Sequence, residues 1–124
     1  MGELGIGIVG TGWVSDEYIR SFVMNPHTRV RAICSRSKER AQAKITMHGL
    51  DGCEAYIDYE KMANNPSIDV IAILTPNFKH AEQTLIAANA KKHIVIEKPL
   101  ATHWNDMQKM QRAVHENGVK TIVG

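Results

Sequence analysis

Glycines at positions 10 and 12 stand between a short apolar run and a segment with helical periodicity. The run is Leu4–Val9, and apolar residues then repeat every four positions at Val14, Tyr18 and Phe22. A glycine turn in this context allows a tight bend and lets the backbone approach a pyrophosphate closely. The N–H groups and positive dipole end of the following helix would face the phosphates. The sequence therefore predicts a dinucleotide site, and the alternative is a glycine turn that only packs.

Ser15 occupies the position where the common dinucleotide motif has a third glycine. That position needs only a small residue, so that the helix can pack against the strand. Serine is small enough for this purpose. The predicted cofactor contacts in this segment are Gly10, Thr11, Gly12, Trp13 and Val14.

A basic segment with hydroxyl groups follows the second apolar run, where the adenosine ribose would be recognised. An Asp or Glu there would bind both ribose hydroxyls and repel a 2′-phosphate. The sequence has instead Ser35-Arg36-Ser37-Lys38. A guanidinium pairs with phosphate and a serine hydroxyl donates to it, so Ser35 and Arg36 favour NADP, with NAD as the alternative. Arg36 could otherwise stack on adenine, or form a solvated helix start with Lys38 and Arg40.

A third candidate segment follows the most apolar run of the chain, residues 68–74. In open α/β sheets, ligands bind outside the carboxyl ends of the strands near the switch point. His80 follows this segment and could contact the cofactor, cap the next helix or be exposed. The residues that we expect beside the middle of the cofactor are Leu74, Thr75, Pro76 and Asn77.

The tripeptide Glu97-Lys98-Pro99 ends the fifth apolar run, and we expect it at the same edge of the sheet. The Lys98 ammonium could donate a hydrogen bond to a substrate hydroxyl or carbonyl and stabilise alkoxide charge. Burial could also lower a lysine pKa enough for proton transfer. The alternative is an ordinary charged pair where a strand leaves the sheet. None of the six histidines forms HExxH or another ligand spacing, so no metal site is expected.

The elements that must position these residues alternate between strand and helix along the whole chain. Such alternation predicts βαβ units and a doubly wound, Rossmann-like α/β fold with a parallel sheet. The predicted strands are Leu4–Val9, residues 30–34, a short strand near Ala55, residues 68–74, His93–Ile96 and Thr121–Val123. The predicted helices follow Gly12, span residues 38–47 with Ser37 as N-cap and Gly49 as the stop, span residues 59–63, contain Ala81 and Leu85, and run from a Thr102 cap to Asn117-Gly118.

Composition narrows the class of protein. A chain of 124 residues with 44% hydrophobic and 23% charged residues fits one dinucleotide-binding domain, residues 1–124, and not a disordered or fibrous protein. The net charge of +2 is far from that of a nucleic-acid binder. No apolar run approaches the roughly 18 residues of a membrane span. With no basic leader and two cysteines that we expect to be free thiols, a cytoplasmic location is predicted.

Three segments together resemble the Gfo/Idh/MocA family of oxidoreductases. They are Gly-Ile-Val-Gly-Thr-Gly-Trp-Val-Ser, Ile-Asp-Val-Ile-Ala-Ile-Leu-Thr-Pro-Asn-Phe-Lys-His and Val-Ile-Glu-Lys-Pro-Leu-Ala-Thr. The resemblance implies hydride transfer between a nicotinamide cofactor and a sugar, inositol or related polyol, with Lys98 in the active site. It also implies that the nicotinamide side is lined by Glu97, Thr75, Pro76, Asn77 and His80.

Members of that family continue into a second α/β domain that supplies substrate contacts, an acid–base histidine and most oligomer contacts. This chain stops in what resembles the sixth strand, so we expect cofactor binding with little or no turnover. We also expect self-association through the open surface after Pro99 and at residues 121–123. Two alternatives are a non-enzymatic NAD(P)-binding sensor with a protein partner and a small Rossmann module for another nucleotide.

Overall fold

The computed structural model describes residues 3–124, in which six strands form one sheet. The strands are β1 Leu4–Val9, β2 Thr28–Cys34, β3 Glu54–Tyr56, β4 Val70–Ile73, β5 His93–Ile96 and β6 Thr121–Val123. Their order is β3-β2-β1-β4-β5-β6, and every neighbouring pair is parallel. The order reverses between β1 and β4, so the predicted doubly wound α/β fold is confirmed. The carboxyl ends of these two strands form the switch point at which such folds bind ligands.

Five helices cover the sheet, and a short 3₁₀ turn at Asn77–Lys79 precedes the fourth. The helices are α1 Val14–Met24, α2 Lys38–His48, α3 Tyr59–Ala63, α4 His80–Asn89 and α5 Trp104–Asn117. Ser37 caps α2 as predicted, because its side chain accepts a hydrogen bond from the Arg40 N–H. Gly49 ends that helix in the left-handed conformation, as glycine readily does. No helix in residues 3–124 is long and apolar enough to cross a membrane.

The helices lie in two layers with a hydrophobic cluster on each face of the sheet. Helices α1 and α2 pack through Ile19 and Ile45 against β1, β2 and β4. Helices α3, α4 and α5 pack through residues such as Met62 and Met110 against the other face. Ile8 is fully buried at the centre, and burying such a side chain stabilises the fold by about 1.5–3 kcal/mol. Both faces of the sheet are therefore covered beneath the loops at its carboxyl edge.

Three predicted element starts were wrong. The second strand begins at Thr28, two residues before the predicted residue 30. The last helix begins at Trp104, with His103 at the N-cap position and no side-chain hydrogen bond capping it, so Thr102 is not its cap. The fourth strand begins at Val70, because the Ile68 N–H closes a turn onto the Asn65 carbonyl and Asp69 accepts from the Gly5 N–H. These errors displace an element boundary by one or two residues and leave the order of elements unchanged.

Candidate functional site

A cavity of about 750 Å³ opens at the carboxyl edge of the sheet. It runs from the end of β2, past the switch point, to the end of β5. Three strand spacings separate these ends, which corresponds to about 14 Å. The predicted site residues that line it are Gly10, Thr11, Gly12, Trp13, Val14, Ser35, Arg36, Leu74, Thr75, Pro76 and Glu97.

The turn after β1 is formed by two glycines with different roles. Gly10 has a φ of 108°, and a Cβ there would lie 2.7 Å from the carbonyl carbon of Leu74. This position therefore requires glycine for both conformation and space. A Cβ on Gly12 would meet nothing within 4 Å, so this side of the turn faces open space in the cavity.

The start of α1 presents unpaired N–H groups to the same space. The Ser15 hydroxyl, which is 1% exposed, donates to the Gly12 carbonyl at 2.7 Å and ties the turn to the helix. The N–H groups of Trp13 and Val14 find no acceptor among residues 3–124, as expected at a helix N-terminus. With the helix dipole, these groups give the start of α1 a positive potential that suits an anion. The Trp13 indole is 84% exposed at the edge of the cavity.

Two guanidinium groups border the cavity beyond the end of β2, one in the loop that follows the strand and one at the start of α2. Arg36 and Arg40 both line the cavity, both are exposed, and neither forms an ion pair in the described part of the chain. Ser35 is buried, and its Oγ lies 3.1 Å from the Thr11 Oγ1. This contact joins the loop after β1 to the loop after β2. Among the residues that line the cavity, the only carboxylate is Glu97, at the opposite end.

Arg40 was missed as a site residue, because the sequence placed it only at the start of a helix. Its proximity to Arg36 follows from the Ser37 cap, which begins α2 so that both arginines border the same cavity. A second arginine four positions after the first, across a helix cap, is the signal that could have found it.

The loop after β4 forms the middle of the cavity wall. The Thr75 Oγ1 donates to the Gln83 Oε1, and the Gln83 carbonyl accepts from the Tyr59 hydroxyl at 2.7 Å. Gln83 and Tyr59 also line the cavity, and nothing in the sequence pattern singled them out. Asn77 is exposed and does not line the cavity, since it begins the 3₁₀ turn.

His80 is 1% exposed and does not line the cavity, which excludes the exposed position considered for it. Its Nε2 lies 2.7 Å from the Thr75 carbonyl oxygen, and its Nδ1 lies 2.9 Å from the Pro99 carbonyl oxygen. The ring therefore joins the loop after β4 to the loop after β5.

The first two residues of the tripeptide after β5 have different environments. Glu97 lines the cavity, and its Oε2 accepts a hydrogen bond from the Tyr18 hydroxyl of α1. Burial and the Glu97 charge raise the pKa of Tyr18 to about 12, so the phenol keeps its proton at neutral pH. Lys98 is exposed and is not among the residues that line the cavity. The structure thus brings Glu97, but not Lys98, into the cavity.

Cys34 also lines the cavity, and both cysteines are free thiols, as predicted. Burial raises the pKa of Cys34 to about 11 and that of Cys53 to about 12. Both therefore remain protonated and are poor nucleophiles at neutral pH. In residues 3–124, no group of three or more His, Cys, Asp or Glu residues is placed to hold a metal ion.

The residues present fit a dinucleotide. Open space beside Gly12 and unpaired N–H groups at the start of α1 suit a pyrophosphate. The cavity volume lies within the range of about 300–1,000 Å³ typical of cofactor sites. Arg36 and Arg40 would bind the adenosine end, and Glu97 lies at the far end.

Comparison with known proteins agrees with this geometry. The model of the oxidoreductase family with an NAD-binding Rossmann fold, GFO_IDH_MocA, matches residues 4–124. The chain is 33% identical over 112 residues to scyllo-inositol 2-dehydrogenase (NADP(+)) IolU of Bacillus subtilis, covering 90% of this chain and 34% of that protein. It is 31% identical over 117 residues to inositol 2-dehydrogenase of Salmonella typhimurium, covering 94% and 34%.

A solved structure has the same fold. The NAD binding oxidoreductase from Klebsiella pneumoniae superposes with a TM-score of 0.87 at 31% identity, over 98% of this chain and 34% of that one. The chain thus spans about a third of the length of these relatives. The matched residues include the glycine turn, the end of β2 and the tripeptide after β5. This chain therefore belongs to the Gfo/Idh/MocA oxidoreductase family and is its NAD(P)-binding Rossmann domain.

Proposed function

We propose that this chain binds NADP in preference to NAD, as the cofactor-binding part of an oxidoreductase that acts on inositol, a sugar or a related polyol. The observation that carries the cofactor preference is the pair of guanidinium groups of Arg36, in the loop after β2, and Arg40, at the start of α2, which line the cavity and form no ion pair among residues 3–124. The substrate class is supported by the names of the inositol dehydrogenases to which the chain is similar.

The electrostatics at the end of β2 favour an anion on the ribose. No carboxylate lines this end of the cavity to repel a 2′-phosphate, and two arginines can donate to its oxygens. The Ser35 hydroxyl is already held close to Thr11, so its main role is to fix the loop that carries Arg36. Arg36 and Arg40 therefore determine the preference for NADP.

Lys98 is the proposed catalytic residue of the reaction. The nicotinamide supplies hydride chemistry when it is bound. Lys98 is exposed and follows Glu97 in the chain, and its ammonium could donate to the oxygen of a substrate alcohol or ketone bound beside Glu97. That hydrogen bond stabilises negative charge on the oxygen as the hydride moves.

Cofactor binding by the 124-residue chain can be tested by fluorescence. Trp13 lines the cavity, and Trp104 lies on α5, so a Trp104→Phe background leaves Trp13 as the only indole. We expect quenching on titration with NADP and a Kd for NADP at least about tenfold below that for NAD. Tighter binding of NAD would contradict the proposed preference.

Substitution of the two arginines tests the residues that carry this preference. Loss of a hydrogen bond to a charged group costs about 1.5–3 kcal/mol, or roughly 10- to 100-fold in affinity. We expect Arg36→Ala and Arg40→Ala each to weaken NADP binding in this range and to leave NAD binding nearly unchanged. Arg112→Ala, an exposed arginine on α5, is the matched control. Equal losses for NADP and NAD would contradict the assignment.

Turnover measurements test whether the 124-residue chain by itself can hold a substrate for hydride transfer. Hydride transfer requires a substrate held in a reactive orientation, which accounts for a large part of the rate. We expect the pure 124-residue chain with scyllo-inositol and NADP to form little or no NADPH. Steady NADPH formation by this chain would contradict the proposal.

A further inference from the structure

Tyr18 links helix α1 to the residue that follows β5. Its hydroxyl donates to the Oε2 of Glu97, a residue 79 positions further along the chain. Tyr18 lies on α1, the helix whose N-terminus would face the phosphates, and Glu97 lines the opposite end of the cavity. Tyr18 itself does not line the cavity, and Glu97 is the cavity residue to which its hydroxyl binds.

The protonation of this pair follows from its surroundings. Burial and the neighbouring carboxylate raise the pKa of Tyr18 to about 12, so the phenol is the donor at neutral pH. The Glu97 carboxylate is the acceptor, and such a charge-assisted hydrogen bond is stronger than a neutral one. The Glu97 side chain is therefore held in one orientation.

Packing restricts the phenol as well. The Tyr18 ring lies 6.5 Å from the Phe22 ring, and both side chains pack on the cluster of β1 and β2. Gly124 passes over the hydroxyl, since its N–H donates to the Ile96 carbonyl at 2.8 Å and a Cβ there would collide with the Tyr18 oxygen. The hydroxyl therefore contacts Glu97 on one side and lies beside Gly124 on another.

The second oxygen of Glu97 has a different environment. Oε1 has no hydrogen-bond partner among residues 3–124, and Glu97 lines the cavity. A carboxylate oxygen accepts hydrogen bonds only, so it would take an N–H or O–H group of a ligand. The carboxamide of nicotinamide carries such N–H groups, and the adenosine end of the cavity lies about 14 Å away.

We propose that Tyr18 is a positioning residue for the nicotinamide half of the cofactor: it holds one oxygen of Glu97 so that the other accepts from the carboxamide. The inference rests on the proposed binding of NADP. It assigns to α1 a second role, beyond presenting its N-terminus to the phosphates.

The test compares two ligands that differ by the nicotinamide half. Tyr18→Phe removes only the hydroxyl, and Kd values are measured for NADP and for 2′,5′-ADP, which contains the adenosine half alone. We expect Tyr18→Phe to weaken NADP binding about 5- to 10-fold and to leave 2′,5′-ADP binding within about twofold. A purely structural role would weaken both ligands equally, and that result would overturn the proposal.

Three further variants make the result specific. Glu97→Gln is expected to weaken NADP selectively, as Tyr18→Phe does, and it also tests the same contact if Tyr18→Phe does not fold. The double variant is expected to lose little more than either single variant, because both remove one interaction. Tyr56→Phe is the matched control, since its hydroxyl contacts Asn65 outside the cavity lining.

The outcomes separate the two proposals. If the wild-type chain binds neither NADP nor 2′,5′-ADP, the proposed function itself fails. If it binds both, and Tyr18→Phe and Glu97→Gln leave the ratio of the two Kd values unchanged, the role of Tyr18 is refuted while NADP binding stands.

Discussion

The Nδ1 atom of His80 lies 2.9 Å from the carbonyl oxygen of Pro99. The other ring nitrogen lies 2.7 Å from the carbonyl oxygen of Thr75, so one buried ring joins the loops after β4 and β5. A neutral imidazole donates to one of these oxygens and an imidazolium to both. Both loops border the cavity, so their relative position depends on this residue.

Replacing His80 with alanine should destabilise the domain. The carbonyl oxygens of Thr75 and Pro99 would lose the ring nitrogens that lie within hydrogen-bond distance of them, and the missing buried ring would leave a cavity. We expect His80→Ala to lower the free energy of unfolding by about 2–4 kcal/mol in urea titrations. His103→Ala, an exposed histidine without a capping hydrogen bond, should change it by less than about 0.5 kcal/mol. Equal stability of the two variants would contradict this role of His80.

Asp16 links α1 to α2 and should make stability depend on pH. Its Oδ1 lies 2.9 Å from the His48 Nε2, and Lys44 donates to both carboxylate oxygens at 2.9 and 3.0 Å. Hydrogen bonds from His48 and then Lys44 lower the pKa of Asp16. The ionised Asp16 carboxylate therefore stabilises the folded domain fully above its unfolded pKa of about 3.9. This stabilisation is lost as the pH falls through the lower pKa of the folded state.

Asp16→Asn measures that contribution. We expect the variant to be less stable than wild type by about 1–3 kcal/mol near pH 6. The difference should shrink as the pH falls below about 4, because the wild-type carboxyl also loses its charge. Urea unfolding at several pH values checks this, with the exposed Asp51→Asn as control. A difference that stays constant down to about pH 2 would exclude the ionised carboxylate as its cause.

The two glycines of the first turn should respond differently to alanine. Gly10→Ala forces a side chain into a φ of 108° and against the Leu74 carbonyl, so we expect a loss of stability of at least about 2 kcal/mol. Gly12→Ala meets no protein atom, so its stability should change by less than about 1 kcal/mol. Its methyl group would occupy the space of the pyrophosphate, and we expect NADP affinity to fall at least about tenfold. The opposite pattern in unfolding and binding measurements would contradict these roles.

The exposed edge strand should promote self-association. All three residues of β6 are exposed, and Ile122 is 66% exposed on the outermost strand. Unpaired edge strands with apolar side chains pair with other chains. We expect the apparent mass in light scattering to rise with concentration and Ile122→Lys to suppress the rise. Val23→Lys, on α1 and also exposed, should not. A monomer at all concentrations would refute this expectation.

The sequence was most informative where a local pattern is enough to specify the structure. The Gly10 to Ser15 turn, the Ser37 cap and the Gly49 stop were all recognised, because backbone conformation at these points depends on one or two residue types. The short strand near Ala55 was also placed correctly, as Glu54–Tyr56. Thr102 was misplaced as a cap, because capping residues signal a helix start only to within a few positions.

Contacts between distant residues could not be predicted in this way. Tyr18 was identified only as part of an apolar helix face, yet its hydroxyl binds Glu97 from another element. The sequence left three roles open for His80: a cofactor contact, a helix cap or an exposed side chain. Its burial depends on two loops that meet only after the sheet has formed. Arg40 lines the cavity because α2 begins at Lys38, only a few residues after the end of β2.

The sequence by itself determined the order of strands and helices and the dinucleotide-binding turn. These depend on hydrophobic period, glycine and capping residues, which act within a few positions of the chain. Only the tertiary structure decided that Glu97 faces the cavity while Lys98 lies outside it, and that Tyr18 holds Glu97. Such side-chain orientations depend on the twist and register of a sheet whose strands are far apart in sequence.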